Sequence, residues 1–311
     1  PDGAELAVAG DRGVGVRLLP ADGGAGRVLP HPSTVYAVAW SPDGAELATA
    51  DVAGVVRRWS REGDAPTRVD TVRRVMLLAL AWGPAGLATG GDDGAITIWP
   101  PGQELIHRAL DRGNIEALAW SPTGDRLAAA TGDGFLAMNA AGRGPVDLRE
   151  LGEGDALNDL AWDPNGDALA VVGERRALRR VATADGATSL PSRHTTAVWS
   201  TAWDPHGRFI ATGAADGAVR LWPVQGGNPT VLSGHGDTVF AVAFDPRGER
   251  LVSAGADGRV IVWPLPSADL RAHLAAITSV CLSPAQRQTH LGEPADAALA
   301  AATACESAAG R

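Results

Sequence analysis

His235, Ser253 and Asp257, with Trp263 six residues beyond, are the residue types of a hydrolytic relay. A hydroxyl becomes a nucleophile when an imidazole takes its proton and a carboxylate orients the ring. The same types recur at His194, Thr212, Asp216 and Trp222, with His and Asp 22 residues apart in both sets (194 to 216, 235 to 257). A reaction centre is built once, whereas a spacing that recurs along a chain belongs to architecture. Buried polar groups must find partners, and a closed chain of hydrogen bonds stiffens whatever it joins. Both sets therefore read as structural networks. His31, Thr49 and Trp59 form a third set without an acid, which predicts a looser unit there. No Gly-x-Ser-x-Gly elbow is present, and no phosphate loop, for which the chain has no lysine. Gly91-Asp92-Asp93-Gly94 lacks the alternating acids of a calcium loop. No catalytic residue, metal site or cofactor is expected.

The elements that must carry these residues are short strands. Between residues 229 and 263, three runs alternate apolar with polar or small residues: Val239–Phe244, Leu251–Ala256 and Val260–Trp263. The breaks between them are turn chemistry, Asp245-Pro246-Arg247-Gly248 and Asp257-Gly258, in which Pro presets φ and Gly accepts the bend. The turn recurs along the chain. Its prolines fall at 1, 42, 84, 122, 164, 205 and 246, between 38 and 42 residues apart. Seven units of about 40 residues with four short strands each point to a propeller.

Gly234-His235, Asp257-Gly258 and Trp263 stand where WD-repeat proteins carry their Gly-His, Asp-Gly and Trp-Asp signatures, and the chain resembles that family over residues 1–265. The resemblance implies an all-β, seven-bladed WD-repeat β-propeller, here followed by a short helical C-terminal tail (266–311). It also implies the role of the recurring sets, hydrogen-bonded tetrads in which Asp accepts from His, His from the Ser or Thr hydroxyl, and Trp N–H closes the chain. Pro264 replaces the Asp after Trp263, Asn139 takes a Trp position, and GERRALRRV (173–181) replaces the usual hairpin of the fifth unit. Residue 1 lies inside a turn and the first unit lacks an innermost strand, so a piece of a longer protein is expected.

Four residues before the closing aromatic of each inner strand lie Tyr36, Leu78, Glu116, Asn158, Trp199 and Phe240. The resemblance places these at the top face near the central channel. Tyr36 is the single Tyr, and Trp199 the single Trp outside the two repeating positions. Rigid aromatics there suit a partner-binding surface; the competing reading is that each packs between neighbouring blades. Arg58 and Arg180 fill apolar slots, either as an anionic-partner site or because a register slip carries them outward.

In the tail, Leu270, Leu274 and Ile277 have helical spacing, Ser283-Pro284 reads as a helix start, and an Ala-rich helix runs from Pro294 to about Ala308. Ile277–Pro284 also fits an inner strand that would close the ring. The tail resembles those that follow the catalytic or NTPase and WD-repeat regions of large myxobacterial-type signalling proteins. The repeats resemble the C-terminal WD-repeat region of bacterial STAND-type NTPase or Ser/Thr kinase signalling proteins, which implies an NTPase or kinase upstream. A net charge of −9 argues against a nucleic-acid partner. No apolar run is long enough for a membrane, and Cys281 and Cys305 make no metal spacing, which suits a cytoplasmic protein. The expected function is a non-catalytic interaction, sensor or scaffold module of a larger bacterial signalling or defence protein. It would bind a protein partner, or another domain of its own chain, through the top face. An enzyme or small-ligand propeller with its site at the channel mouth is the alternative.

Overall fold

A computed structural model describes residues 1–10, 15–21, 23–72, 75–139, 146–151 and 154–265, with backbone alone at 189–193. Of the tail it describes Pro284, Asp296, Ala297, Leu299, Ala300 and Thr303, all helical. Residues 277–283, where a closing strand was the rival to helix, and both cysteines lie outside the described residues. The coordinates form two units, Pro1–Pro264 and Leu265–Arg311.

Among the described residues, the first unit holds twenty-six strands in seven sheets. Blade one holds β1 (Glu5–Ala9), β2 (Val16–Pro20) and β3 (Arg27–Leu29). Blade two holds β4 (Val35–Trp40), β5 (Glu46–Asp51), β6 (Val55–Ser60) and β7 (Pro66–Thr71). Blade three holds β8 (Leu77–Gly83), β9 (Gly86–Gly91), β10 (Ala95–Trp99) and β11 (Ile106–Ala109). Blade four holds β12 (Ile115–Trp120), β13 (Leu127–Thr131), β14 (Phe135–Met138) and β15 (Asp147–Glu150). Blade five holds β16 (Leu157–Trp162), β17 (Ala168–Gly173), β18 (Ala177–Ala182) and β19 (Thr188–Arg193). Blade six holds β20 (Val198–Trp203), β21 (Phe209–Ala214), β22 (Ala218–Pro223) and β23 (Thr230–Ser233). Blade seven holds β24 (Val239–Phe244), β25 (Arg250–Gly255) and β26 (Val260–Pro264).

Every pairing within a blade is antiparallel between strands adjacent in sequence, the up-and-down order that short turns permit. Gly44, Gly124, Gly166, Gly207 and Gly248 hold φ between 63° and 79° in the recurring turn, a conformation that favours glycine. The inner strands β4, β8, β12, β16, β20 and β24 pack on one another in succession around the axis. Small residues make that approach possible. Ala48, Ala88, Ala128, Ala170 and Ala211 are fully buried, and a side chain at Gly83 would collide with the Trp120 ring. Blade seven returns to blade one at the rim, where Arg250 donates to the carbonyls of Gly3 and Ala21 at 3.4 and 3.3 Å.

Blade one shows three strands among the described residues, β1 to β3, as its sequence implied. Ala241 and Ala243 are exposed, whereas the corresponding Ala79 and Ala81 are buried. The pairing shifts register at Arg58 and at Arg180, so the slip expected there is present. Neither side chain escapes to solvent, however. Both are half-buried, each with Nε lacking a partner among the described residues, and Arg58 lies over the Trp82 ring at 5.3 Å.

Candidate functional site

The hydroxyl–imidazole–carboxylate sets resolve into three different networks. In blade seven the chain closes as expected: Trp263 Nε1 donates to Ser253 Oγ at 2.8 Å, Ser253 meets His235 Nε2 at 2.8 Å, and His235 Nδ1 meets Asp257 at 3.0 Å. The Gly236 amide also donates to Asp257, and these contacts hold its carboxyl down at about 2. Ser253 is only 1% exposed and its oxygen also accepts from the Trp263 indole, so the relay is closed off from a substrate.

In blade six the expected His-to-Asp contact is not made. Arg220 stands between the two, donating to His194 Nδ1 at 3.2 Å and to Asp216 Oδ2 at 2.6 Å. The arginine occupies the acceptor position of the ring, so His194 donates through Nε2 to Thr212 Oγ1, 3.1 Å away, and Trp222 Nε1 donates to the same oxygen at 2.9 Å. Burial, and then the Arg220 charge, push the imidazole down to about 4.

Blade two corrects a sequence expectation. It is no looser for lacking an acid: Trp59 is among the largest fully buried side chains and donates to Thr49 Oγ1 at 3.2 Å. The carbonyl of Leu29 accepts from His31 Nδ1 at 2.9 Å, and His31 Nε2 meets Thr49 at 2.8 Å. A backbone oxygen replaces the missing carboxylate. Blade five abandons the network for buried Val171 and Val181. Blade three keeps Thr89 but without a histidine, and its hydroxyl is buried with no partner among the described residues.

The six positions counted back from the inner-strand aromatics share one backbone feature. In each inner strand the pairing skips one residue, and the skipped residues are Tyr36, Leu78, Glu116, Asn158, Trp199 and Phe240. A bulge leaves its extra residue out of the ladder and re-aims its side chain. Tyr36 is 57% exposed, Phe240 54% and Trp199 37%, so a sizeable part of each ring faces outward. Trp199 and Phe240 meet edge to face with ring centres 5.8 Å apart. Leu78, Glu116 and Asn158 are half-buried. Burial raises the Glu116 carboxyl, Asn114 opposes this by hydrogen bonding, and Glu174 adds to it. The Asn158 amide donates across to Val198 O at 2.9 Å.

Two residues that sequence reasoning passed over hold this region together. The residue after each bulge is Ala37, Ala79, Ala117 or Ala241, but Asp159 in blade five and Ser200 in blade six. Asp159 Oδ2 accepts the Thr201 amide of the next blade at 2.8 Å, and its Oδ1 accepts the Leu160 amide at 2.8 Å. Ser200 Oγ repeats the bridge one blade on, accepting the Val242 amide at 3.1 Å. Desolvation raises the Asp159 carboxyl to about 6 against these hydrogen bonds. The signal was available: two polar residues in a column otherwise filled by alanine.

Among the described residues no group of acids, histidines or cysteines could hold a metal ion, and no helix is long and apolar enough to cross a membrane. Repeated antiparallel blades, six of them with a bulged inner strand, define the class, a β-propeller. Residues 26–60, 188–223 and 227–264 each match the WD domain, G-beta repeat family model. The chain is a seven-bladed β-propeller carrying WD40 repeats. A chain in the crystal structure of the mitotic checkpoint complex superposes with a TM-score of 0.77 at 23% identity, over 85% of this chain and 87% of that one, a likeness of fold. The probable cytosolic iron-sulfur protein assembly protein 1 of Cryptococcus neoformans is 30% identical over 113 residues, 28% of this chain and 26% of that protein. The WD repeat-containing protein slp1 of Schizosaccharomyces pombe is 32% identical over 103 residues, 31% of this chain and 21% of its own. The chain thus spans about a quarter of the length of these curated relatives.

Proposed function

We propose that this propeller is a non-catalytic interaction module that binds a protein partner, or another domain of its own chain, through the face bearing the six bulges. The observation that carries the reading is the exposure of Tyr36, Trp199 and Phe240 on backbone irregularities that aim them away from the core. Large rigid aromatics outside the core bury much apolar area at low entropic cost when a partner covers them. The protein-binding habit of WD40 propellers points the same way. Catalysis at the channel mouth finds little support in the bulge residues, which offer one carboxylate and one amide beside four apolar side chains. The setting that suits the reading is cytoplasmic, within a larger bacterial signalling or defence protein of the kind whose tails the C-terminal stretch resembles. Affinity capture with the 311-residue chain, compared by quantitative mass spectrometry with the Trp199→Ala/Phe240→Ala variant and with Arg247→Ala in a turn at the opposite rim, tests it. The double variant should lose proteins that the other two retain. Identical retention by all three rules the face out.

A further inference from the structure

Blade five keeps an arginine that two other blades carry and loses what neutralises it. Arg57 stands opposite Thr49 in the sheet, Arg220 opposite Thr212 and Arg179 opposite Val171, so the three hold one register position. All three are half-buried. Arg57 is ion-paired with Asp51, two residues beyond Thr49, and Arg220 with Asp216, four residues before it. In blade five those two acid positions hold Gly173 and Arg175. No acid fits at 173, where an added Cβ would stand 2.2 Å from the Ala156 carbonyl oxygen. Arg175 brings a second cation, itself paired with Asp155 at 2.7 Å. The Arg179 side chain has no hydrogen bond or ion pair among the described residues.

Space has opened beside it. Val171 and Val181 take the register positions that Thr212 and Trp222 hold in blade six, so a hydroxyl and an indole are gone. A cleft of about 250 Å³, its open mouth included, has Leu157, Val171, Val172, Gly173, Arg175 and Arg179 in its lining. A guanidinium partly withdrawn from water is costly unless an anion meets it, and its planar fork matches a carboxylate with two parallel hydrogen bonds.

We propose that this cleft binds a small monocarboxylate with a short apolar chain, the carboxylate on Arg179 and the chain against Leu157, Val171 and Val172. With Arg175 held by Asp155, one positive charge is left to neutralise, which suits a monoanion. The aliphatic lining suits a ligand with a body rather than a bare ion. The volume lies below the roughly 300 Å³ at which pockets for drug-sized ligands begin, which keeps the chain short. This site stands independently of a protein partner on the bulge-bearing face.

The probe is isobutyrate, followed by saturation-transfer NMR on the full 311-residue chain at constant ionic strength. Binding should saturate, and isobutyramide, acetate and inorganic phosphate should each bind at least about tenfold more weakly. Arg179→Gln should weaken isobutyrate about tenfold or more, while Arg247→Ala binds as the parent does. Arg175→Asp places a carboxylate four residues before Arg179, as Asp216 stands before Arg220, and should abolish binding in a chain that melts no lower than the parent. That outcome separates occupation of the site from loss of fold; Arg179→Gln, which leaves no unpaired charge behind, decides the matter if Arg175→Asp does not fold. No saturable binding, a preference for phosphate, equal binding of the amide, or indifference to Arg179→Gln overturns the proposal. The residue 18 before Val171, where blades two, six and seven have histidine, is Glu153, which lies outside the described residues. Binding that appears only on Glu153→Gln would mean that the chain supplies its own carboxylate, and would overturn the proposal as well.

Discussion

Asp159 should contribute stability in mild acid that it does not contribute at neutral pH, and replacing it should remove that one contribution. Its carboxyl lies between blades five and six, where desolvation lifts it from 3.8 to about 6, the two backbone amides and Ser200 opposing the rise. No charged side chain figures among these influences. The folded state therefore takes up its proton at higher pH than the unfolded chain does. That stabilisation is fully present below 3.8 and is lost as pH rises through about 6. At about 1.4 kcal/mol per pH unit, the difference amounts to about 3 kcal/mol. Asp159→Asn removes the titration but offers one acceptor where the carboxylate uses two. It is therefore the change in the parent–variant difference that is fixed: the variant should gain about 3 kcal/mol relative to the parent between about pH 4 and pH 8. His194 works in the opposite sense, since its ring is pushed from 6.5 to about 4, and the stability this confers above 6.5 is lost as pH falls toward 4. The two nearly cancel in the parent, so its own profile is uninformative and the difference between parent and variant is the quantity to measure. Urea unfolding followed by the fluorescence of the ten tryptophans, at several pH values, supplies it. A parent–variant difference that does not change with pH, or that moves in the variant's disfavour as pH rises, would refute the argument.

Ser253→Ala leaves both Trp263 Nε1 and His235 Nε2 without their partner and should cost about 2 kcal/mol in urea unfolding. Arg250→Ala removes donors to Gly3 and Ala21, the tie between last blade and first. It should cost about 1 kcal/mol and speed hydrogen exchange in β1 more than in β9. Tyr36→Ala and Phe240→Ala should each shift unfolding by less than about 1 kcal/mol, because more than half of either ring is already in water. A larger loss in thermal unfolding would mean that these rings pack between blades after all.

Repeat number and strand order were legible because the turn chemistry is local: proline and glycine fix each bend whatever surrounds it. The six bulge positions were found by counting, but the bulge that makes them special was invisible, since it depends on how two strands pair. Counting four residues back along an unbroken strand would place Tyr36 and Trp40 on one face; the skipped residue re-aims Tyr36 outward. The networks failed as predictions wherever a partner came from outside the motif. Arg220 separates His194 from Asp216, and in blade two, where Ala53 takes the motif's acid position, the carbonyl of Leu29 meets the ring instead. Residue types set which partners are acceptable, and three-dimensional neighbours decide which is taken.

The three segments that match the repeat family model are the three that carry a His–Ser/Thr–Trp chain, and the same three blades carry Tyr36, Trp199 and Phe240. That coincidence has a physical rationale. A side chain offered to a partner is useful only if its backbone does not yield, and a blade cross-linked internally by buried hydrogen bonds is a stiffer mount than one packed by apolar contact alone. Blade five lacks the internal chain, having Val171 and Val181 instead, and it presents an amide rather than an aromatic at its bulge. Its polar groups face outward to blade six, where Asn158 and Asp159 brace the Trp199 backbone. Departure from the repeat in blade five thus relocates hydrogen bonding from within a blade to the joint between blades, where it supports the neighbour's aromatic. The irregular blade and the regular ones converge on the same stretch of backbone, the one that carries Trp199 and Phe240.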